Sequence, residues 1–483
     1  MQLERIQRWI AATIQADDES LTAKAPAARG VKRRRFDPIS TPPLSDTFLD
    51  CGDNCMDETP TPAGEASPSS SSSKRRLDDE TPRAKRIMTS RSERSYVSLS
   101  SASSNRSGRT GGGSSPRKQL RSLQLNPRGL DVRSLFDAHA ALFRPAALQR
   151  LLDDVQEIAD GRGIVAREVQ PSLERAAAWD VRFSWALRHG GVHIVGDDGA
   201  SDLRGRSPPP AAVRRVLKAA LECDDRGHPE ANWNTHVHSR ILEMAFRPYN
   251  EDEEEERVAV VTKKENLVDF MASTTASIIA EYGIPTVSKK VDFCVFIDPI
   301  GDRSLPPTFQ AGVEHARAAL PLGIVSFTDF APLYDRFVAL SIETKKPSEN
   351  LEAAELQLGV WDMARWSLLR RLVELRLLSA TTTTTTDQDV DEAAASLDKE
   401  TVQAQLPEFL PGIIVQGHDW LLVVTTIEGE KTVLWQKLMI GSTATARGVY
   451  QIVRTLQLLE TWTREMHWPW LRGVVEGIAG AQA

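Results

Sequence analysis

Cysteine is scarce in this chain of 483 residues, which contains only four. They are Cys51, Cys55, Cys223 and Cys294, and they form neither a CxxC pair nor a spacing shared with histidines. The sequence therefore offers no zinc motif. A reducing intracellular compartment is the simplest expectation, because disulfide-dependent folds belong to oxidising environments.

Long apolar runs are also absent. No stretch approaches the ~20 consecutive apolar residues of a membrane-spanning helix. Glu4, Arg5 and Arg8 interrupt the N-terminal segment where a secretory signal needs an unbroken apolar core. We therefore expect a soluble, non-secreted protein without a membrane partner. Apolar residues at helical spacing predict a short amphipathic helix over residues 2–15.

Positive charge is concentrated in one part of the chain. The formal net charge is −7, yet Lys and Arg outnumber Asp and Glu within residues 1–130, so the remainder is strongly acidic. Non-specific capture of nucleic acid draws its affinity from Lys and Arg that neutralise phosphates. The acidic remainder therefore counts against a general nucleic-acid-binding role.

Residues 1–128 are rich in Ser, Pro, Thr, Gly and charge. Too few large apolar residues are present to offset the entropy of ordering, so this composition predicts a disordered tail. Two basic clusters lie in it, VKRRRFDP and KRRLDDETPRAKR, the second running from Lys74 to Arg86. The second resembles a bipartite nuclear-import signal, which an import receptor binds as an extended peptide. Simple solvation of the tail explains these charges equally well.

Order is expected over residues 129–475, beginning with helices. SLFDAHAALFRPAALQRLLDDVQEIADG predicts a helix interrupted at Pro145, and PPPAAVRRVLKAALECDD and NWNTHVHSRILEMAF predict two more. ENLVDFMASTTASIIAEYG predicts a fourth helix, which would end on Gly283.

Strand signals follow. KKVDFCVFIDP and RFVALSIETKK have apolar residues on both faces, as strands inside a sheet do. A long helix over about residues 349–378, with Ser348 or Asn350 as its N-cap, precedes a loop insertion at about 379–405. PGIIVQ, DWLLVVTTI and KTVLWQKLMI predict three further strands, and residues 446–466 a final helix.

Charged residues at the end of RFVALSIETKK require an explanation. Side chains alternate along a strand, so Glu343 and Lys345 share one face. On the preceding strand Asp292 and Asp298 share a face, but six residues separate them by about 20 Å, too far for one site. Asp292 is preferred because it stands at the beginning of its strand.

An aspartate, a glutamate and a lysine at one point suit phosphodiester hydrolysis. Two carboxylates bind Mg²⁺, or Mn²⁺, through oxygen. The ion polarises a phosphoryl oxygen and activates water, while an ammonium orients that water or stabilises negative charge. Gln357 and Trp361, four residues apart on the next helix, share a face, which brings the Gln357 amide toward Lys345 or the substrate. The simpler alternatives are a salt bridge of Lys345, a helix glutamine bonded to backbone, and a core tryptophan.

VDFCVFID, LSIETKK and AELQLGVW, with GHDW and GVYQIV downstream, together resemble the PD-(D/E)XK nuclease-like domain over roughly residues 130–472. The resemblance implies an α/β restriction-endonuclease-like core, a mixed β-sheet flanked by helices. It matches Asp292 to the motif's aspartate, Glu343 and Lys345 to its (D/E)xK triplet, and Gln357 to the glutamine of the following helix. Trp361 replaces a tyrosine that relatives carry.

Two departures from that pattern matter. Val291 stands where a proline often precedes the aspartate. The acidic residue expected on the first core helix is unassigned, with Glu230, Glu243 and His238 as candidates. The resemblance implies a metal-dependent nuclease acting on DNA or RNA; the alternative is an inactive binding or scaffold module with the same fold, which the acidic body favours.

In the nuclease reading each residue has a role. Asp292 and Glu343, helped by the backbone carbonyl of Thr344, would bind the metal. Lys345 would position the attacking water, and Gln357 would orient the lysine or a phosphate.

Overall fold

The structure, a computed structural model, describes residues 115–137, 144–188, 191–195, 207–247, 266–284, 289–347, 349–381 and 397–479. The helix expected at 2–15, both basic clusters and all but the end of the expected tail lie outside the described residues and stay predictions. Within the described residues, no helix combines the length and apolar character needed to cross a bilayer.

A seven-stranded mixed sheet forms the centre of the fold, in the order β1-β7-β6-β5-β4-β3-β2. Neighbours are antiparallel except for the β1–β7 and β4–β5 pairs, which are parallel. The strands are β1 Leu130–Ser134, β2 Val268–Ala272, β3 Phe293–Ile297, β4 Phe337–Lys345, β5 Leu410–Gln416, β6 Asp419–Glu428 and β7 Lys431–Ser442.

Eleven helices can be assigned within the described ranges. They are α1 Pro116–Leu125, α2 Ala146–Ala159, α3 Gln170–Ala177, α4 Pro210–Asp225, α5 Glu230–Trp233, α6 Ser239–Phe246, α7 Pro307–Ala319, α8 Leu351–Thr381, α9 Lys399–Ala404, α10 Ala446–Trp462 and α11 Trp468–Ile478. A π-helical turn, Asn234–His238, joins α5 to α6 without a break, and another, Thr463–His467, joins α10 to α11.

Helices cover both faces of the sheet, which confirms the predicted α/β class. One hydrophobic cluster combines α2, α4, α6 and α10 with alternate strand residues such as Ile342 and Ile413. On the other face, α7, α8 and α11 pack with Ala339 and Leu410. All nine residues of β4 are buried, as the apolar residues on both faces of this segment predicted.

The helix predicted to end on Gly283 is wrong. Its first part forms strand β2, which pairs antiparallel with β3. Val268 and Phe270 are buried while Asp269 and Met271 are only half-buried. This period of two is that of a strand with one face on a core, and it outweighs the helical spacing of the longer segment.

Ordered structure starts before the predicted boundary at residue 129. Helix α1 lies inside the segment predicted as tail, because Leu120 and Leu123 are buried in a cluster with Leu356 and Leu358 of α8. Strand β1, also unpredicted, pairs in parallel with β7.

The predicted loop insertion at 379–405 also contains a helix, α9. Asp398 caps it by accepting hydrogen bonds from the backbone N–H groups of Glu400 and Thr401. Asn350 caps α8 in the same way, since its side-chain oxygen accepts from Glu352 N at 2.9 Å. The alternative cap, Ser348, lies outside the described residues.

A glycine pair provides a test of the packing between α7 and α11. A Cβ added at Gly312 would overlap the backbone carbonyl of Val475 on α11. We expect Gly312→Ala to lower the free energy of unfolding by about 1–3 kcal/mol, as overpacking does. Urea unfolding measures the change.

Gly473→Ala, on α11, is the matched control. A Cβ there meets no atom within 4 Å. The gain in helix propensity should stabilise the protein by about 0.5–1 kcal/mol. Similar effects of the two substitutions would contradict a close α7–α11 approach at Gly312.

Candidate active site

The site forms where the end of β4 meets the beginning of β3. Phe293 pairs with Ile342 in this antiparallel ladder, and Asp292 N donates to Ile342 O at 3.1 Å. Asp292 therefore lies beside Glu343. Asp298 is at the other end of β3, where its Oδ2 accepts from Arg336 Nε at 2.8 Å, so the structure places it away from this site.

Lys345 links two carboxylates. Its Nζ donates to Glu343 Oε1 at 2.5 Å and lies 3.5 Å from Glu230 Oε2. It also donates to the backbone carbonyl of Thr344 at 2.8 Å. Glu343 is only 1% exposed, and its second oxygen, Oε2, has no hydrogen-bond partner among the residues that the structure describes. One oxygen of this buried carboxylate is thus neutralised by the ammonium and the other is unpaired.

The pKa values of the acids are displaced upward together. Burial raises the pKa of Glu343 well above its usual range, the Asp292 charge adds to the effect, and Lys345 opposes it. Burial likewise raises the pKa of Asp292, against hydrogen bonds from Thr344, and raises that of Glu230 to about 7. Burial disfavours the Lys345 ammonium, yet Glu343 and Glu230 keep its pKa above the usual value. The site thus has an excess of negative charge that one lysine only partly offsets.

Glu230 is the acid of the first core helix that reaches the site. It is the first residue of α5, directly after Pro229, and its side chain is 32% exposed. Of the other candidates, Glu243 is exposed on α6, whereas His238 is buried and stacks on Trp233 with ring centroids 5.9 Å apart. Pro229 marks the start of this helix, but nothing in the sequence separated Glu230 from Glu243 as the acid of the site.

Asn234 contributes a contact that sequence reasoning missed. It begins the π-helical turn, and its Oδ1 lies 2.9 Å from both Thr344 Oγ1 and His238 Nδ1. Burial lowers the pKa of His238 to about 4, so a neutral ring can donate its Nδ1–H to the amide oxygen. Thr344 in turn donates its backbone N–H to Asp292 Oδ2 at 2.9 Å, and its Oγ1 is 2.8 Å from the same oxygen. This chain of contacts fixes the orientation of Asp292.

Gln357 lies at the site but not against Lys345. Its Nε2 donates to the backbone carbonyl of Lys290 at 3.3 Å, two residues before Asp292. Trp361, one turn later on α8, is fully buried and packs edge-on against Phe327 with centroids 5.1 Å apart. The prediction of a core role for Trp361 is confirmed.

A second ammonium lies near the acids. Lys289 is half-buried, and burial lowers its pKa, an effect that Glu343 opposes and Lys345 reinforces. Its position three residues before Asp292 places a further positive charge at the rim.

The donor set fits a hard divalent cation. Asp292 and Glu343 offer carboxylate oxygens, the ligands that Mg²⁺ prefers, and the unpaired Glu343 Oε2 is available to such an ion. The Thr344 carbonyl, expected as a third ligand, already accepts from Lys345. Across the described residues no group of three or more His, Cys, Asp or Glu is gathered in a metal-ligating arrangement.

Removal of the ammonium tests the electrostatics. Lys345→Met leaves the Glu343 carboxylate buried without its counter-ion, and we expect a loss of about 3–5 kcal/mol in unfolding free energy. Without Lys345 the pKa of Glu343 rises further, so the folded state binds a proton that the unfolded state releases. Stability then falls as pH rises. Urea unfolding at pH 6 and pH 8 should show the larger loss at pH 8.

The double variant Lys345→Met/Glu343→Gln is the control. Because both charges are gone, most of the stability should return and the pH dependence that Glu343 contributes should disappear, leaving only the part that belongs to Glu230. A loss equal at the two pH values would contradict a buried, charge-compensated Glu343.

Loss of the Asn234 contacts should lower the free energy of unfolding. Asn234→Ala leaves His238 Nδ1 without its partner, and we expect a loss of about 1–3 kcal/mol. Asn232→Ala is the matched control: its amide has only a 3.4 Å contact with His228 Nδ1, so little change is expected. Thermal unfolding of both variants measures the difference; equal values would show that the Asn234 network is not stabilising.

A scan against protein-family models matches residues 180–468 to the PD-(D/E)XK nuclease superfamily. Neither the search of curated proteins nor the search of solved structures found a match. The matched region contains Glu230, Asn234, Asp292, the Glu343–Lys345 segment and Gln357.

Proposed function

The chain belongs to the PD-(D/E)XK nuclease superfamily, and from that premise we propose that it is a divalent-metal-dependent nuclease that hydrolyses phosphodiester bonds of DNA or RNA. The observation that carries the proposal is the meeting of Asp292, Glu343 and Lys345 where β4 ends and β3 begins, with a buried Glu343 oxygen that no described protein group satisfies. Buried polar atoms are rarely left without partners, so an orphan in such a site points to a ligand.

Asp292 and Glu343 are the residues that would hold the metal. When bound, Mg²⁺ or Mn²⁺ supplies positive charge for the scissile phosphate and lowers the pKa of water. The Thr344 N–H and the Asn234 amide orient Asp292, while burial excludes bulk water from Glu343.

Lys345 and Glu230 supply the polar groups that face a reacting phosphate. The Lys345 ammonium donates to Glu343 and can turn toward an attacking water or a phosphate oxygen, where it offsets developing negative charge. Glu230, with a pKa of about 7, can accept or release a proton near neutral pH. Gln357 fixes the backbone that leads into Asp292 rather than the lysine.

The second candidate is a binding or scaffold module that retains the fold without turnover. It is favoured by the absence, among the residues that the structure describes, of three or more ligand side chains gathered for a metal. The Lys345–Glu343 contact would then be a buried salt bridge only. Metal binding separates the two candidates.

A nuclease assay with Mg²⁺ or Mn²⁺ on single-stranded, duplex and branched substrates tests the proposal. We expect Lys345→Ala to lower the turnover rate at least about 10²-fold, as loss of a transition-state donor does. Asp292→Asn should abolish both activity and stabilisation by metal, whereas the wild-type protein gains about 2.7 kcal/mol at a metal concentration 100 times Kd. Gln357→Ala should act more weakly.

Glu314→Gln, an exposed residue of α7, is the control for loss of one carboxylate. It should leave turnover and metal stabilisation unchanged. A wild-type protein that neither cleaves nor gains stability with metal would support the scaffold candidate instead.

A further inference from the structure

A basic groove lies between α4 and the continuous helix formed by α5, the π-helical turn and α6. It is a cavity of about 310 Å³ whose lining includes Arg215 and Lys218 from α4, and His236 and Arg240 from the second helix, with His228 from the connection. We use the name basic groove for this set. Its composition is unusual for a chain whose residues beyond the tail are predominantly acidic.

Helix geometry explains why these groups converge. Arg215 and Lys218 are three residues apart and so lie on one face of α4. His236 and Arg240, four residues apart, lie on one face of the opposing helix. The two pairs line one cavity, and Arg215, Lys218, His236 and Arg240 are all exposed.

The cations of the basic groove have no partners among the described residues. Within the described part of the chain, Arg215, Lys218 and Arg240 have no hydrogen bond or ion pair. Other arginines nearby are paired: Arg214 lies 3.8 Å from Asp180 Oδ2, and Arg247 lies 2.7 Å from Asp269 Oδ1. Three unpaired cations around one concavity form a site of positive potential that attracts anions.

The remaining lining weakens that potential little. Glu222 is the acidic residue in the lining, and its Oε1 is 4.0 Å from Arg226 Nε. Cys223 is buried, and burial raises the pKa of its thiol, so it is uncharged at neutral pH. The lining therefore carries the positive charges of Arg215, Lys218 and Arg240 against the single carboxylate of Glu222.

The basic groove is connected to the active site through short contacts. His228 is two residues before Glu230, which faces Lys345. At the end of α4, Asp224 Oδ2 is 3.6 Å from His418 Nε2, and the neighbouring Gly417 N donates to Lys345 O at 2.7 Å. The continuous helix that presents Glu230 to Lys345 also carries His236 and Arg240 of the basic groove, so one helix contributes to both places.

We propose that the basic groove binds backbone phosphates of the nucleic acid that flank the bond to be cleaved. The inference rests on the proposed nuclease function. It identifies the basic groove as the positive surface that the acidic body would otherwise lack for binding nucleic acid. Phosphate contacts position a nucleic acid without reading its sequence. The groove thus fixes the path of the strand, while the carboxylates and Lys345 act on the phosphodiester.

The test is binding of fluorescent single-stranded and duplex oligonucleotides to the full chain in EDTA, followed by anisotropy over a salt series. Arg215→Gln/Lys218→Gln/Arg240→Gln should weaken binding about ten-fold or more near 0.1 M salt. The slope of log K against log salt for duplex should become shallower by about two to three, since each phosphate contact contributes about 0.9. The side chains are exposed, so the melting temperature should stay unchanged.

The matched control is Arg150→Gln/Arg175→Gln/Arg303→Gln, which removes the same charge from exposed positions outside the groove. It should preserve both affinity and slope. Equal losses in the two triple variants would overturn the proposal, because total charge would then explain binding. Unchanged affinity in both triple variants would also overturn the proposal. So would polyglutamate binding to the wild-type protein as tightly as the oligonucleotide does.

Kinetics separate failure of the groove from failure of the proposed function. With long substrates and Mn²⁺ the groove variant should show a raised KM and an unchanged kcat. With a small phosphodiester that cannot reach the groove, it should match the wild-type protein. If the wild-type protein cleaves and the groove variant has an unaltered KM, the proposed role of the groove is wrong and the nuclease function stands. If neither protein cleaves, the nuclease function is wrong. The binding data then still decide whether the groove binds nucleic acid.

Discussion

The buried contact between Glu343 and Lys345 is the constraint on which the rest of the site depends. A carboxylate that is 1% exposed is stable only with a nearby positive charge or a proton. The ammonium supplies that charge to one oxygen and leaves the other unsatisfied. The surrounding contacts hold this arrangement in place: Thr344 supports Asp292, and Glu230 shares the lysine. In the proposed function, a divalent cation would satisfy that second oxygen.

The burial of strand β4 explains why such a contact persists. All nine residues of β4 are buried, and residues of this strand belong to hydrophobic clusters on both faces of the sheet, so the backbone that carries Glu343 is held firmly. The charged residues stand at the end of the strand, where β3 begins and where α5 and α8 approach. The buried core therefore keeps the site rigid, and the end of strand β4 keeps it accessible. Sites that hold charged groups in electrostatically unfavourable positions commonly combine a rigid core with an accessible end in this way.

Parts of the structure that depend on local pattern were predictable. The apolar residues on both faces of β4, the helix after Pro145 and the proline run before α4 predicted elements that the structure contains, whereas the helix expected from Ser134 onward is wrong over residues 134–137, where β1 ends in a turn. Strand β2 was mistaken for a helix because its short period of two is embedded in a longer apolar segment. The pairing of Asp292 with the Glu343 and Lys345 strand followed from alternation and order along the chain. Contacts that depend on distances between helix and sheet did not follow: Gln357 reaches Lys290 O rather than Lys345, and Glu230 could not be separated from Glu243. Asn234 was missed because no periodicity signals a π-helical turn.

That turn has a consequence for how this chain can vary in length. A π-helical turn contains one residue more than an α-helical segment of the same hydrogen-bonded reach needs. Deleting one residue between Asn234 and His238 would therefore turn this segment into α-helix, and Ile241, Leu242 and Ala245 would keep their places in the core. Deleting one residue from α6, which has no extra residue, would instead rotate the residues after it by about 100° about the helix axis. The turn is thus the position in this helix where the chain can lose a residue without misaligning the core.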